Sequence, residues 1–165
     1  MIIAVDFDGT CVTHKFPDIG ENIGAEIVLK KLADDGNKII LYTMRSHSSK
    51  KTEGAESSGM ISTKRDCLQD AIDWFNKYNI PLYGVNCNPT QHEWTDSPKA
   101  YAHIYIDDAA LGCPLIYVGN RNNPYVRPYV DWIGVVNMLN DMSVIKYNEA
   151  TNIKKELKTK YGEIY

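Results

Sequence analysis

The 165-residue chain lacks most of the features that narrow a protein's function at a glance. It carries no surplus of positive charge: 18 lysines and arginines stand against 21 acidic residues, a formal net charge of −3. Without a basic footprint, neither nucleic acid nor an anionic membrane surface is an expected partner. No apolar run approaches the ~18 residues of a membrane-spanning helix. The chain opens directly on MIIAVDFDGT, with no charged leader or small-residue cleavage site, so no secretory signal is expected. The four cysteines (Cys11, Cys67, Cys87 and Cys113) are far apart and include no C-x-x-C pair. That spacing suits neither a disulfide framework nor a zinc site, and reduced thiols in a cytoplasmic protein are the expectation.

What remains is an ordinary globular composition, 44% hydrophobic and 24% charged, at a length that fits one domain over residues 1–165. Five short apolar runs read as strands: IIAV (2–5), KIILYT (38–43), PLYGV (81–85), AHIYID (102–107) and PLIYV (114–118). They are rich in Ile, Val and Tyr and bounded by turn residues. Between them lie segments of helical period. In 21–35, Ala25, Val28, Leu29 and Leu32 share a face and Gly36 supplies a stop. In 64–78 the face is Leu68, Ala71, Ile72, Phe75 and Tyr78, with Thr63 and Asp66 spaced as a capping box. Trp132, Val135, Val136, Leu139 and Met142 trace a third stripe, and NEATNIKKELKTKYG a last surface helix packed through Ile153, Leu157 and Tyr161. Alternating strands and helices imply right-handed crossovers, hence a three-layer α/β/α domain around a parallel sheet of about five strands.

Ligands of such sheets bind beyond the carboxyl ends of the strands. Polar residues gather there: Asp6 and Asp8 after the first run, Thr43 after the second, Asn86 and Asn88 after the third, Asp107 and Asp108 after the fourth. Lys99 precedes the fourth run closely enough for a loop to bring it to the same rim. A carboxylate pair at ~4 Å repels by about 4 kcal/mol at a surface-like dielectric, so the cluster predicts a cation. Oxygen ligands without His or Cys suit a hard ion such as Mg²⁺. Taken singly, each residue has a plainer role. Asp-x-Asp-Gly makes turns, a Thr caps a strand, an isolated Lys is solvated, and Asp107-Asp108 caps a turn. Their shared rim is what weakens the plain account.

In chain order, DFDGT (6–10), LYTMR (41–45) and SPKAYAHIYIDD (97–108) resemble the motifs of the haloacid dehalogenase (HAD) superfamily of phosphohydrolases, over about two-thirds of the chain. The last segment is most similar to the small capsule-biosynthesis-type phosphatases of that superfamily. The resemblance implies a Rossmann-like fold and a phosphatase acting on a small phosphorylated metabolite. Asp6 would be the nucleophile, forming an aspartyl-phosphate, and Asp8 the acid and base. Gly9 would let the backbone turn and leave amides facing phosphate oxygens. Thr43 would bind a phosphoryl oxygen, and Lys99 would hold the nucleophile. Mg²⁺ would be held by Asp6, the main-chain carbonyl of Asp8 and Asp107, with Asp108 bound directly or one step removed.

Asp8 favours phosphate esters over carbon–halogen bonds, because relatives cleaving the latter generally lack an aspartate there. About thirty residues separate the first two motifs, and 47–62 is polar. Neither stretch can bury a core of its own, so no cap domain is expected and the mouth of the site is open or covered by a partner subunit in a homo-oligomer. Weaker signals surround the rim. Asn86, Asn88, Gln91, His92 and Trp94 could read a sugar or base, or simply shape a polar loop. Arg45 could clamp a second anionic group or pair with an acid, His14 reads as solvated, and GNRNNPYVRPY (119–129) is too short for a nucleic-acid surface. Two alternatives stay open: a receiver-like phospho-acceptor domain, and a nucleotidase of the same fold with a specific nucleotide substrate.

Overall fold

The computed structural model describes residues 1–47, 65–119 and 127–165. It is a mixed α/β structure built on a four-stranded parallel sheet. The strands β1 (Ile2–Val5), β2 (Lys38–Leu41), β3 (Leu82–Val85) and β4 (Ile104–Ile106) lie in the order β3-β2-β1-β4. Register places Ile3 beside Ile39 and Ile104, and Val5 beside Leu41 and Ile106. The apolar N-terminal run forms one of the two inner strands, where Ile3, Ala4 and Val5 are all buried. Burying an Ile or Val side chain contributes about 1.5–3 kcal/mol. The adjacent carboxylates are thereby fixed to a well-buried inner strand.

Four helices complete the described fold: α1 (Ala25–Asp34), α2 (Cys67–Lys77), α3 (Trp132–Asp141) and α4 (Tyr147–Lys160). α1 buries the expected Ala25, Val28, Leu29 and Leu32. It ends where Gly36 takes φ +82°, its amide donating to the Ala33 carbonyl at 2.9 Å. The second helix starts later than its spacing suggested. Asp66 is the N-cap, accepting from the Gln69 amide at 2.9 Å, and Thr63 lies outside the described residues. In α3, Asp131 caps Gly134 in the same way at 3.0 Å, and Trp132, Val135, Val136 and Leu139 are buried. Met142, placed on that stripe by spacing, lies past the helix end and is exposed. α4 packs through Ile153 and Leu157 as expected.

One feature departs from the sequence-based picture. The fifth run does not extend the parallel sheet. Leu115–Ile116 (β5) pairs antiparallel with Tyr129–Val130 (β6) in a separate two-stranded ladder. A short apolar run fixes its tendency to be a strand but not its partner, which the chain beyond it decides.

Among the described residues, the helices lie on one face of the sheet. Alternate residues of a strand face opposite sides, and Ile3, Val5, Ile39, Leu41 and Ile106 share one core with the buried residues of all four helices. The opposite face holds Ala4, Ile40 and Ala102, flanked by Ile2, Tyr42 and Tyr83, and no helix among the described residues joins it. Within that same set, no helix is long and apolar enough to cross a membrane.

Candidate functional site

The site grows from the carboxyl ends of β1 and β4, which are neighbours. Asp6 continues the β1–β4 ladder, its amide donating to the Ile106 carbonyl at 3.0 Å. Asp107 and Asp108 follow β4 directly. The three aspartates bring one carboxylate oxygen each within 4.8 Å of one another. Thr10 ties them together: its hydroxyl stands 3.5 Å from Asp6 Oδ2 and accepts from the Asp108 amide at 3.1 Å. Thr10 is itself buried, and its carbonyl accepts from the Trp132 indole at 2.8 Å. The helical core thus holds the first motif rigidly.

The electrostatic cost of this arrangement falls on Asp6. Burial, aided by the fields of Asp107, Asp108 and Asp8, pushes its carboxyl up to about 6, against a smaller opposing effect of the Phe7 amide. Three oxygen donors around an under-neutralised centre fit a hard divalent cation. Asp6, Asp107 and Asp108 are therefore the residues that could hold Mg²⁺. The Asp8 side chain is not among them, which leaves only its main-chain carbonyl for the role the motif suggested.

Asp8 turns the other way. Its Oδ2 and Oδ1 accept from Arg45 Nε and Nη2, both at 2.7 Å. Arg45 is 2% exposed. Its remaining N–H groups go to the carbonyls of Pro17, Asp18 and Cys67 at 3.2, 2.8 and 3.4 Å. Of the two readings open for Arg45, the structure places it as the partner of an acid. A guanidinium with every donor engaged has none left for a substrate anion, so its assignment to substrate binding is corrected.

Gly9 needs a similar correction. Its amide donates to the Val12 carbonyl at 2.7 Å and does not face the site. The glycine is required for other reasons. Its φ is +82°, and a Cβ there would stand 2.2 Å from His14 Nε2 and 2.9 Å from Asp108 Cγ. His14 is consequently not the solvated residue expected. Its Nε2 lies 3.2 Å from both Asp108 Oδ2 and the Pro128 carbonyl, with Arg127 at 3.6 Å from the same oxygen. No sequence spacing marks His14 or Arg127 as neighbours of Asp108, which lies 94 residues beyond His14.

Thr43 follows the end of β2, next to β1: the preceding amide, of Tyr42, donates to the Val5 carbonyl at 2.8 Å. Asn86, at φ +53°, accepts from the Thr43 amide at 2.7 Å and so sets the end of β2. The Thr43 hydroxyl oxygen accepts from the Arg45 amide at 3.2 Å, leaving its hydrogen to donate elsewhere.

Asn88 is buried, donating to the Tyr101 carbonyl at 3.0 Å and accepting from Thr90. Asn88 therefore builds the loop and is corrected as a substrate contact, while Asn86, which is exposed, commits its Oδ1 to Thr43. Gln91 builds the loop likewise, bonding to the Ser97 and Lys99 carbonyls and to the Tyr101 amide. Trp94 stacks edge-on to Tyr101, which in turn meets His103. His103 accepts from the Ile2 amide at 2.9 Å, at the strands' amino ends, so this aromatic group lies away from the rim.

Lys99 is likewise not drawn into the acidic cluster. Its ammonium stands 5.5 Å from the centroid of Tyr105, whose ring meets Tyr42 on the helix-free face. The structure thus joins Asp6, Asp107, Asp108 and Thr10, brings Thr43 to the end of the neighbouring strand, pairs Asp8 with Arg45, and sets Lys99 over Tyr105.

Comparison with known proteins adds a structural likeness. No family model matches the chain, and no curated protein matches it. Among solved structures, a conserved protein from Bacteroides thetaiotaomicron is similar, with 27% identity and a TM-score of 0.56 over 90% of this chain and 95% of that one.

Proposed function

We propose that the chain is a phosphohydrolase of the HAD superfamily that cleaves a phosphate monoester of a small metabolite through Asp6. The observation that carries this reading is the convergence of Asp6, Asp107 and Asp108 at the carboxyl ends of adjacent parallel strands. With it stands the pattern DFDGT, LYTMR and IDD in the superfamily's order. The superfamily's fuller architecture, with helices on both faces of the sheet, is part of the same proposal.

In the reaction, an Asp6 carboxylate oxygen attacks phosphorus as the bond to the leaving alkoxide breaks. Asp8 gives the alkoxide its proton. A water then attacks phosphorus and yields its proton to Asp8. The Asp6–phosphorus bond breaks, releasing inorganic phosphate and restoring both carboxyl groups. Thr43 donates its hydroxyl to a phosphoryl oxygen. Thr10 fixes Asp6 relative to Asp108. Lys99 must leave the Tyr105 ring to meet the phosphate. Mg²⁺ held by Asp6, Asp107 and Asp108 supplies the positive charge that lets one anion approach another.

Phosphate release from a broad panel of monoesters, with and without Mg²⁺, tests the reading. Metal-dependent turnover that disappears in Asp6→Asn supports it, and an Asp6→Asn protein as active as wild type refutes it. A long-lived phosphoprotein without turnover, formed from a small phosphodonor, would point to a phospho-acceptor domain.

A further inference from the structure

We infer that Arg45 is the positioning residue for Asp8, its guanidinium fork fixing both oxygens of the acid–base carboxylate and binding them to the loop after the first motif. The inference rests on the phosphohydrolase reading and adds a residue to it. Arg45 spends two parallel N–H groups on Asp8, at 2.7 Å each. Such a bidentate pair fixes the plane and rotation of a carboxylate, which a point charge on a flexible stem cannot do. The guanidinium is gripped in turn. Its Cζ lies 4.9 Å from the Phe7 ring centroid and 5.4 Å from that of Phe16, and the carbonyls of Pro17, Asp18 and Cys67 take its other donors.

The two partners differ in access: the Arg45 side chain is 1% exposed and that of Asp8 is 19% exposed. The Asp8 side chain thus keeps access to solvent while both of its oxygens are held by a buried guanidinium. A group that hands a proton to a leaving oxygen and later takes one from water depends on its orientation.

A structural role alone for Arg45 gives different kinetics. With an aryl phosphate whose nitrophenolate leaves unprotonated, the first step needs no acid, while the second still needs Asp8 as base. Rapid mixing of Arg45→Lys with that ester and Mg²⁺ is expected to give a burst of about one nitrophenolate per site. Steady turnover then runs about 10- to 100-fold below wild type. Asp8→Asn gives the same pattern. The double variant Arg45→Met/Asp8→Asn, which buries no unpaired charge, turns over within about threefold of Asp8→Asn, because the two residues act as one unit.

Burst and turnover falling together, Arg45→Lys within about threefold of wild type, or multiplicative losses in the double variant would each overturn the assignment. Should Arg45→Lys not fold, the comparison of the double variant with Asp8→Asn decides alone. A wild type that hydrolyses no ester refutes the phosphohydrolase reading itself, and the assignment falls with it. An active wild type that fails the comparison overturns the assignment only.

Discussion

Replacing Asp6 by Asn should stabilise the metal-free protein while abolishing its proposed chemistry. Burial and three neighbouring carboxylates raise the Asp6 carboxyl from 3.8 to about 6. The folded state therefore binds a proton at Asp6 more tightly than the unfolded chain does. The favourable contribution of that proton is complete below about pH 3.8 and is lost as pH rises through about 6. Above that range the ionised wild type carries a cost of about 3 kcal/mol at most relative to a neutral side chain. Asn keeps the shape and removes the charge. Urea unfolding in the presence of a chelator measures the difference. At pH 8 the variant should exceed wild type by about 2–3 kcal/mol, or roughly 4–12 °C in Tm. At pH 4 the two should nearly coincide. Millimolar Mg²⁺ should close the gap at pH 8 by stabilising wild type alone. A difference independent of pH, or a variant less stable at pH 8, would refute the electrostatic reasoning.

Other outcomes follow from the same geometry. Gly9→Ala places a Cβ 2.2 Å from His14 at a φ of +82°, so thermal unfolding should show a loss of about 1–3 kcal/mol. Asn86→Ala removes the acceptor for the Thr43 amide and should cost about 1 kcal/mol by urea titration, with reduced phosphate release. Lys99→Met should leave the pH dependence of metal-free unfolding unchanged, since its ammonium stacks on Tyr105. A changed profile would place that charge beside Asp6. Asp107→Asn should weaken Mg²⁺ binding measured by calorimetry, whereas equal affinity in the variant would remove Asp107 from the ligand set.

The parts of the fold legible in the sequence are those that local pattern controls. β1, α1 and α4 follow from apolar runs, the 3.6-residue period and the Gly36 stop. The convergence of Asp6 with Asp107 and Asp108 follows from a rule of topology, that parallel strands deliver their carboxyl ends to one side.

What the sequence hid is the choice of partner. Arg45 and Asp8 are 37 residues apart, and nothing in LYTMR shows whether the guanidinium faces a ligand or an acid. Asn86 and Asn88 are polar residues at a strand end, which describes a ligand contact and a loop staple equally well. Gly9 does sit in a tight turn at φ +82°, but its amide is engaged by Val12, and the glycine's necessity comes from His14 lying against it. The β5 run shows the same limit, because β propensity does not name the strand that will pair with it.

The account's central claim is that Asp6 attacks phosphorus, and mapping the phosphoryl group during turnover tests it most directly. The protein, mixed with a hydrolysed ester and Mg²⁺, is quenched in acid, digested and sequenced by mass spectrometry. The account predicts one phosphoryl group on the carboxylate of Asp6, absent from Asp6→Asn. A phosphoryl group on another residue, or hydrolysis by the Asp6→Asn protein at the wild-type rate, would contradict it.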